Sequence, residues 1–364
     1  MFPWKPYTFI VTVMLCSAAP AIRAATMDSA PPDDHASYQL GKGFDLPFLG
    51  LRGGGYVNVV FSDLQDKPWQ FGPHDVSLFL FRDFSSRWSI FSELELGEPF
   101  TISDGDFTTA NAEIDLERTY VDYRFTSRSN LRLGKFLTPI GRWNLIHADP
   151  LIWTVSRPLT TAVSFSRHAA GLMLHGTWPM GKTDLDYSLF ADDSDFLDPS
   201  QRDEQAYPDI ERDANEQNVF DHALGLRILY RSFNERLQLG VSAARFQLKG
   251  AAQTKNLIGG DVYWSVGRVE ISGESVYRAN SGKSDADEWG AFLQLVAPLT
   301  QRLYAVGYHE RFKSDIAPAI ATIDSVGIAF VPSPPVKIKL EHRGGHHNGP
   351  VAPDGWFASF SFLL

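Results

Sequence analysis

Four basic residues, Lys135, Arg142, Arg157 and Arg167, fall in a stretch of chain where Asp149 is the only carboxylate. Cationic side chains gathered at a narrow, water-filled constriction would lower the barrier for anions and raise it for cations. Guanidinium groups could also hold phosphate or carboxylate by paired hydrogen bonds. The plainer alternative is that these residues pair with carboxylates such as Glu93, Glu95, Glu113, Asp115 and Glu117, and so only pin the segment. Opposed acidic and basic walls would create a transverse field that favours dipolar solutes over a strict charge filter.

Two other groups invite chemistry. His342, His346 and His347 surround Gly344-Gly345, a spacing that suggests zinc, although histidines in glycine-rich surface tracts can be merely compositional. His147 and Asp149, near Ser156 and Ser164, are the residue types of a hydrolytic triad, which only geometry can establish. No Gly-x-Ser-x-Gly elbow or phosphate-cradling glycine loop supports an enzyme. We assign no catalytic residue, no metal ligand and no cofactor.

The elements that must carry these residues read as strands. In the terminal segment Trp356, Ala358, Phe360, Phe362 and Leu364 alternate with smaller residues, giving one apolar face at the strand period of two. Val336, Ile338 and Leu340 alternate with Lys337, Lys339, Glu341 and Arg343, and Leu224, Leu226 and Ile228 with Gly225, Arg227 and Leu229. Trp88, Ile90, Leu94 and Leu96 oppose Glu93 and Glu95 in the same way. Charged faces of this kind point to water inside a barrel, with Arg132, Asp115, Glu113, Lys337, Lys339 and Arg343 among the expected lumen wall. Between Leu116 and Val121 the phase slips by one, which predicts a bulge near Arg118.

About sixteen such segments run from Leu51–Ser62 to Gly355–Leu364, and their connections are sorted by length. Short turns such as Phe84–Ser86, Thr126–Ser129 and Pro332–Pro335 alternate with longer links. Sorted loops, an even strand number and both ends on the short side are what an outer-membrane barrel needs. The expected fold is therefore all-β, a transmembrane antiparallel β-barrel of about sixteen strands. A soluble sandwich has no reason to sort its loops, and no propeller repeat is visible. The third long connection, 138–167, carries Pro139, Gly141, Trp143, Pro150, Trp153 and Pro158. Such a loop is built to fold against something, and we expect it in the lumen as the constriction.

Mean hydropathy is −0.17 and no run approaches the ~20 apolar residues of a membrane helix. A barrel shows lipid only alternate residues, so this average is no objection. Lys5 before the apolar Tyr7–Leu15 and the small residues after it read as a secretory signal peptide, residues 1–24, with cleavage after Ala24 preferred to Ala21. Residues 25–49 read as a periplasmic leader and 50–364 as one barrel domain. Loss of Cys16 with the signal would leave no cysteine to form a disulfide.

The run Leu131-Arg-Leu-Gly-Lys-Phe-Leu-Thr-Pro-Ile-Gly-Arg-Trp-Asn144 resembles the Gly-Lys-Phe…Pro-Phe-Gly turn of the phosphate-selective porin O and P type families. More broadly, Leu51 to Leu364 is similar to sixteen-stranded general porins. The resemblance implies an outer-membrane channel for passive diffusion of small hydrophilic solutes, with the third loop bent into the lumen, and a homotrimer. It also implies a basic ladder. This chain supplies a partial one, Arg52, Arg132, Arg227, Arg278, Lys337, Lys339 and Arg343, diluted by lumen acids. We therefore expect a general, mildly anion-preferring pore ahead of a dedicated phosphate channel, with a barrel hydrolase or a plugged structural barrel as rivals of another class.

The net charge of −10 is local in origin, because Asp192 to Asn218 holds ten acidic and two basic residues. Nucleic acid is an unsuitable partner for such a surface. Outer-membrane lipid and lipopolysaccharide are the expected neighbours; Asp192, Asp193, Asp195 and Asp198 could reach the latter through divalent ions or could simply form a solvated loop.

Overall fold

Alternation of apolar and polar residues builds the wall. The computed structural model describes residues 38–39, 43–146, 148–198, 218–232, 234–280, 287–314 and 319–364. The signal segment, most of the leader, His147 and most of the acidic fourth loop lie outside the described residues. In chain order the strands are β1 (Tyr38–Gln39), β2 (Gly43–Leu46), β3 (Leu51–Leu64), β4 (Gln70–Asp83), β5 (Trp88–Gly97), β6 (Thr101–Ser103), β7 (Asp106–Thr108), β8 (Glu113–Thr126), β9 (Ser129–Leu137) and β10 (His168–Met180). They continue as β11 (Thr183–Asp192), β12 (Phe220–Ser232), β13 (Leu237–Leu248), β14 (Thr254–Val266), β15 (Val269–Asn280), β16 (Glu288–Pro298), β17 (Leu303–Lys313), β18 (Ala321–Ser333), β19 (Val336–His346) and β20 (Gly355–Leu363). Two short helices, α1 (Leu159–Ala162) and α2 (Ser194–Leu197), follow β9 and β11.

Sixteen of these strands, β3–β5 and β8–β20, pair antiparallel with their chain neighbours and close on themselves. The seam joins β20 to β3, from Gly355 opposite Leu64 to Leu363 opposite Tyr56. Closure leaves no strand edge in hydrocarbon, where an unpaired amide costs several kcal/mol. Wall strands of 9 to 14 residues meet the ~9–11 tilted residues a bilayer core requires. Among the described residues no helix is long and apolar enough to cross a membrane.

The two faces fall as alternation dictates. Leu224, Leu226, Ile228, Ile338, Leu340, Trp356 and Phe360 are exposed on the outside, whereas Arg227, Lys337, Lys339, Glu341 and Arg343 are buried within. The expected bulge is present: Glu93 opposes Arg118 and Leu94 opposes Leu116, so Glu117 is the extra residue. A second register shift leaves His74 unpaired, with Asn58 opposite Asp75 and Val59 opposite Pro73. This irregularity, together with the missing N–H of Pro73, hides the start of β4: alternation alone suggests a strand from His74 to Asp83, whereas β4 begins at Gln70.

Four short strands, β1, β2, β6 and β7, lie outside the sequence-based strand set, and β1 pairs with β2. β2 pairs with β3, Phe44 opposite Gly53, continuing the line of β20 beyond the point where the Leu364 amide donates to the Gly55 carbonyl at 2.7 Å. The hairpin β6–β7 lies in the second long connection, and β6 adds to the top of β4. Its Asp104-Gly105 turn, with φ of 48° and 92°, is the Asp-Gly hairpin signal that could have revealed it.

Candidate functional site: a third loop that fills the lumen

Two glycines set the entry of the third loop and explain the motif that marks it. Gly134 has φ +134°, and a Cβ there would collide with the Thr119 carbonyl of β8. Gly141 has φ +65°, and a Cβ there would collide with the Glu274 carboxylate. Between them the chain leaves β9 and turns inward, the Gly141 amide donating to Ser242 Oγ at 3.3 Å. Positive φ and close approach together restrict both positions to glycine.

From Thr138 the loop descends, crosses the lumen and climbs back to Arg167. Trp153 marks its lowest point, with Nε1 donating to Glu270 Oε2 at 2.8 Å and its ring 4.7 Å from that of Tyr304. Glu270 and Tyr304 are each the second residue of their strands, just above short turns. The loop therefore spans nearly the full depth of the barrel. On its return, α1 packs against β15, β16 and β17 near the opposite rim.

The wall holds this loop chiefly by its backbone. Glu274 accepts from the successive amides of Arg142 and Trp143. Glu341 accepts from the amides of Val155 and Ser156 and from the Ser156 hydroxyl. Glu310 accepts from the amides of Leu159 (3.1 Å) and Thr160 (2.7 Å) and from the Thr160 hydroxyl. Three carboxylates on β15, β19 and β17 thus each take two consecutive N–H groups. Wall cations take the carbonyls: Lys337 donates to Ile152, Lys339 to Asp149 and Thr154, and Arg278 to Val163 and Ser164. Apart from the Ser156 and Thr160 hydroxyl contacts, each of these bonds joins a charged side chain to a peptide group among buried residues, where such bonds are strongest.

Apolar packing completes the filling. Ile140 and Phe165, at the two ends of the loop, join Tyr120, Phe136, Phe190, Phe220 and Phe246 in one cluster. Trp143, Ile152, Leu159 and Val163 join Phe292, Tyr308, Phe312 and Ile323 in another. Glu93, Glu310, Arg343 and Lys339 are each at most 2% exposed. A wide aqueous pore would wet such groups, so the loop occupies the lumen rather than merely narrowing it.

The basic residues expected at a constriction are distributed. Arg142 donates to Gln238 Oε1 at 3.0 Å and lies over the Tyr263 ring, 4.2 Å from its centroid, with burial lowering its pKa. Arg157 donates to Asp149 Oδ1 at 3.1 Å. Burial would raise the Asp149 pKa, but Arg157, Lys339 and His74 more than reverse this and hold it well below the usual carboxylate range. Arg167 pairs with Glu117 at 3.1 Å, beside His168. Lys135 shares its face of β9 with the outward Leu133, and its ammonium meets Asp115 at 3.4 Å and Asp198 at 3.7 Å. Lys135 is itself buried, with partners different from those of Arg142 and Arg157.

The residues expected along the lumen wall make contacts of their own. Arg132 makes a two-point bond to Asp122 at 2.8 and 2.9 Å and covers the Tyr120 ring. Glu95 accepts from Tyr56 and Ser77, and Glu93 pairs with Arg118. Glu113 is exposed at the end of β8 and Asp115 is half-buried. Arg343 donates to the Pro353 carbonyl in the last loop. The Ser156 hydroxyl is committed to Glu341, and His342 stacks edge-on against the outward Trp356. Glu274, Glu310 and Trp153 were not anticipated as anchors; the inward phase of Glu274 was readable, but its backbone partners were not.

A closed barrel of sixteen antiparallel strands, apolar outside and carrying its third long loop in the lumen, has the architecture of the bacterial outer-membrane porins. The barrel is similar to a loop-deletion mutant of OmpT, an outer membrane protein of Vibrio cholerae, with a TM-score of 0.55 and 10% identity over 86% of this chain and 99% of that one. It is also similar to the anion-selective porin from Comamonas acidovorans, with a TM-score of 0.53 and 13% identity over 86% and 98% of the two chains. A variant of Rh. blastica porin aligns with a TM-score of 0.54 and 11% identity over 86% and 100%. At these identities the likeness is one of fold. No protein-family model matches the chain. A stretch of 121 residues is 27% identical to an uncharacterized protein of Aquifex aeolicus (strain VF5), covering 33% of this chain and 26% of that protein. The match thus spans about a quarter of the relative's length.

Proposed function

We propose that this chain is an outer-membrane channel for small hydrophilic solutes, closed in the arrangement described and opened by displacement of its third loop. The observation that carries this reading is the loop's attachment: wall carboxylates and ammonium groups grip its peptide groups, and water could replace each of those bonds when the loop moves. Export through residues 1–24, a leader over 25–49 and residence in the outer membrane beside lipopolysaccharide belong to the same reading.

Mild anion preference is the selectivity we propose, since Arg142, Arg157 and Arg167 outnumber Asp149 in the mobile element and one fold neighbour is an anion-selective porin. A phosphate-specific channel is the narrower alternative. A homotrimer is the assembly proposed, in keeping with a trimer form of the Vibrio cholerae neighbour. The apolar cluster around Ile140 and Phe165 favours a second reading, a permanently plugged structural barrel.

Planar-bilayer recording separates these. Stepwise conductance without added substrate, and a reversal potential of anionic sign under a salt gradient that shrinks in Arg142→Ala and Arg157→Ala, support the channel. Cation preference in the wild type sinks the selectivity claim. Silence in the wild type, with conductance appearing only when residues 139–166 are deleted, establishes the plug.

A further inference from the structure

His74, Asp75 and Asp149 bring one imidazole nitrogen and two carboxylate oxygens within 4.8 Å of one another. The grouping depends on the irregularity in β4. Neighbouring residues of a regular strand point to opposite faces, but the register shift at His74 lets its ring turn to Asp75, with Nδ1 2.7 Å from Oδ2. Asp149 arrives from the third loop, from its second short 3-10 turn. Two further residues orient its carboxylate from behind: Asn58 Nδ2 donates to Oδ2 and Arg157 to Oδ1.

We propose that His74, Asp75 and Asp149 form a binding site for a first-row divalent cation, Zn2+ foremost, which ties the third loop to β4. Imidazole nitrogen and carboxylate oxygen are both zinc ligands, and three protein ligands with a fourth position left to water make an open site. Ligand atoms ~2 Å from such an ion lie about 3.3 Å from one another. The present spacing therefore needs the His74–Asp75 contact to open slightly and the widest separation, at most 4.8 Å, to close by up to about 1.5 Å. The two carboxylates neutralise the ion. Arg157 and Asn58 then serve as the outer partners that fix a ligating carboxylate, a role whose loss costs about 10- to 100-fold in affinity. Lys339, the other cation beside Asp149, is directed to the carbonyls of Asp149 and Thr154. His74 is half-buried, its side chain 15% exposed, so the imidazole is not sealed from solvent. The inference does not need the channel reading, because binding is measured without transport.

The test uses the full-length barrel in detergent, stripped with EDTA and titrated with Co2+ by visible absorption, then with Zn2+ by calorimetry. The expected result is one ion per chain, with Zn2+ displacing Co2+. His74→Ala and Asp149→Asn should each weaken binding more than tenfold, Asn58→Ala about tenfold, and a triple alanine variant at His342, His346 and His347 not at all. Folding of every variant is checked by its heat-modifiable gel migration; should His74→Ala fail to fold, Asp149→Asn, which leaves the wall untouched, decides. Absence of a cobalt spectrum in the wild type overturns the proposal, as does undiminished affinity in the folded variants.

Discussion

The indole of Trp153 hydrogen-bonds the carboxylate of Glu270 at 2.8 Å, joining the tip of a loop that starts at one rim of the barrel to a strand end at the other. The Lys337 ammonium lies 4.3 Å from the centroid of the same indole. Seating of the loop tip is thus a charge-assisted hydrogen bond plus a cation–π contact.

Trp153→Ala removes both. A loss of about 2 kcal/mol shifts the balance between seated and displaced loop roughly thirtyfold. The measurement is the open-state occupancy in planar bilayers, expected to rise; an unchanged record would place the seal elsewhere in the loop.

Glu310→Gln and Glu341→Gln keep the volume of each anchor while removing the charge that draws two amides. Each should weaken docking by about 1–3 kcal/mol. Hydrogen exchange at Leu159 and Thr160 should quicken in the first variant and at Val155 and Ser156 in the second, with β-strand amides unaffected.

Asp149 supplies the acid dependence. Its folded pKa is depressed, so its contribution is fully present above the unfolded value of about 3.9 and is lost as pH falls below it. Thermal melts between pH 7 and 5 should therefore show no change from this group, with destabilisation setting in below about pH 4. In Asp149→Asn that acid-specific component should be missing, while stability at pH 7 is already lowered.

Gly141→Ala strains a φ of +65° and pushes a methyl group into Glu274. The backbone strain alone is about 1–2 kcal/mol. The variant should fold as a barrel, judged by gel migration and circular dichroism, yet lose protection of the Arg142 and Trp143 amides.

The barrel was legible because lipid and water impose a period of two: Val336 to Arg343 and Trp356 to Leu364 face as their alternation predicts. The bulge at Glu117 showed itself one residue away, as the slipped phase near Arg118. Pro73 and His74 broke the same pattern and hid the start of β4, from Gln70 to Pro73. The site was less readable. Sequence spacing placed Arg142 and Arg157 inside the loop, but could not tell that Lys135 would be held by Asp115 and Asp198. Nor could it reveal Glu274, Glu310 and Glu341 as anchors. A carboxylate that binds peptide N–H groups leaves no mark on the residues whose amides it takes.

That last point bears on how such a molecule can change over generations. Every residue except proline offers the same N–H and C=O, so substitutions at Val155 or Leu159 preserve the contacts made by Glu341 and Glu310. Constraint therefore rests on the strands that do the gripping, and the loop is free to acquire new side chains, and with them new permeants, without losing its seat.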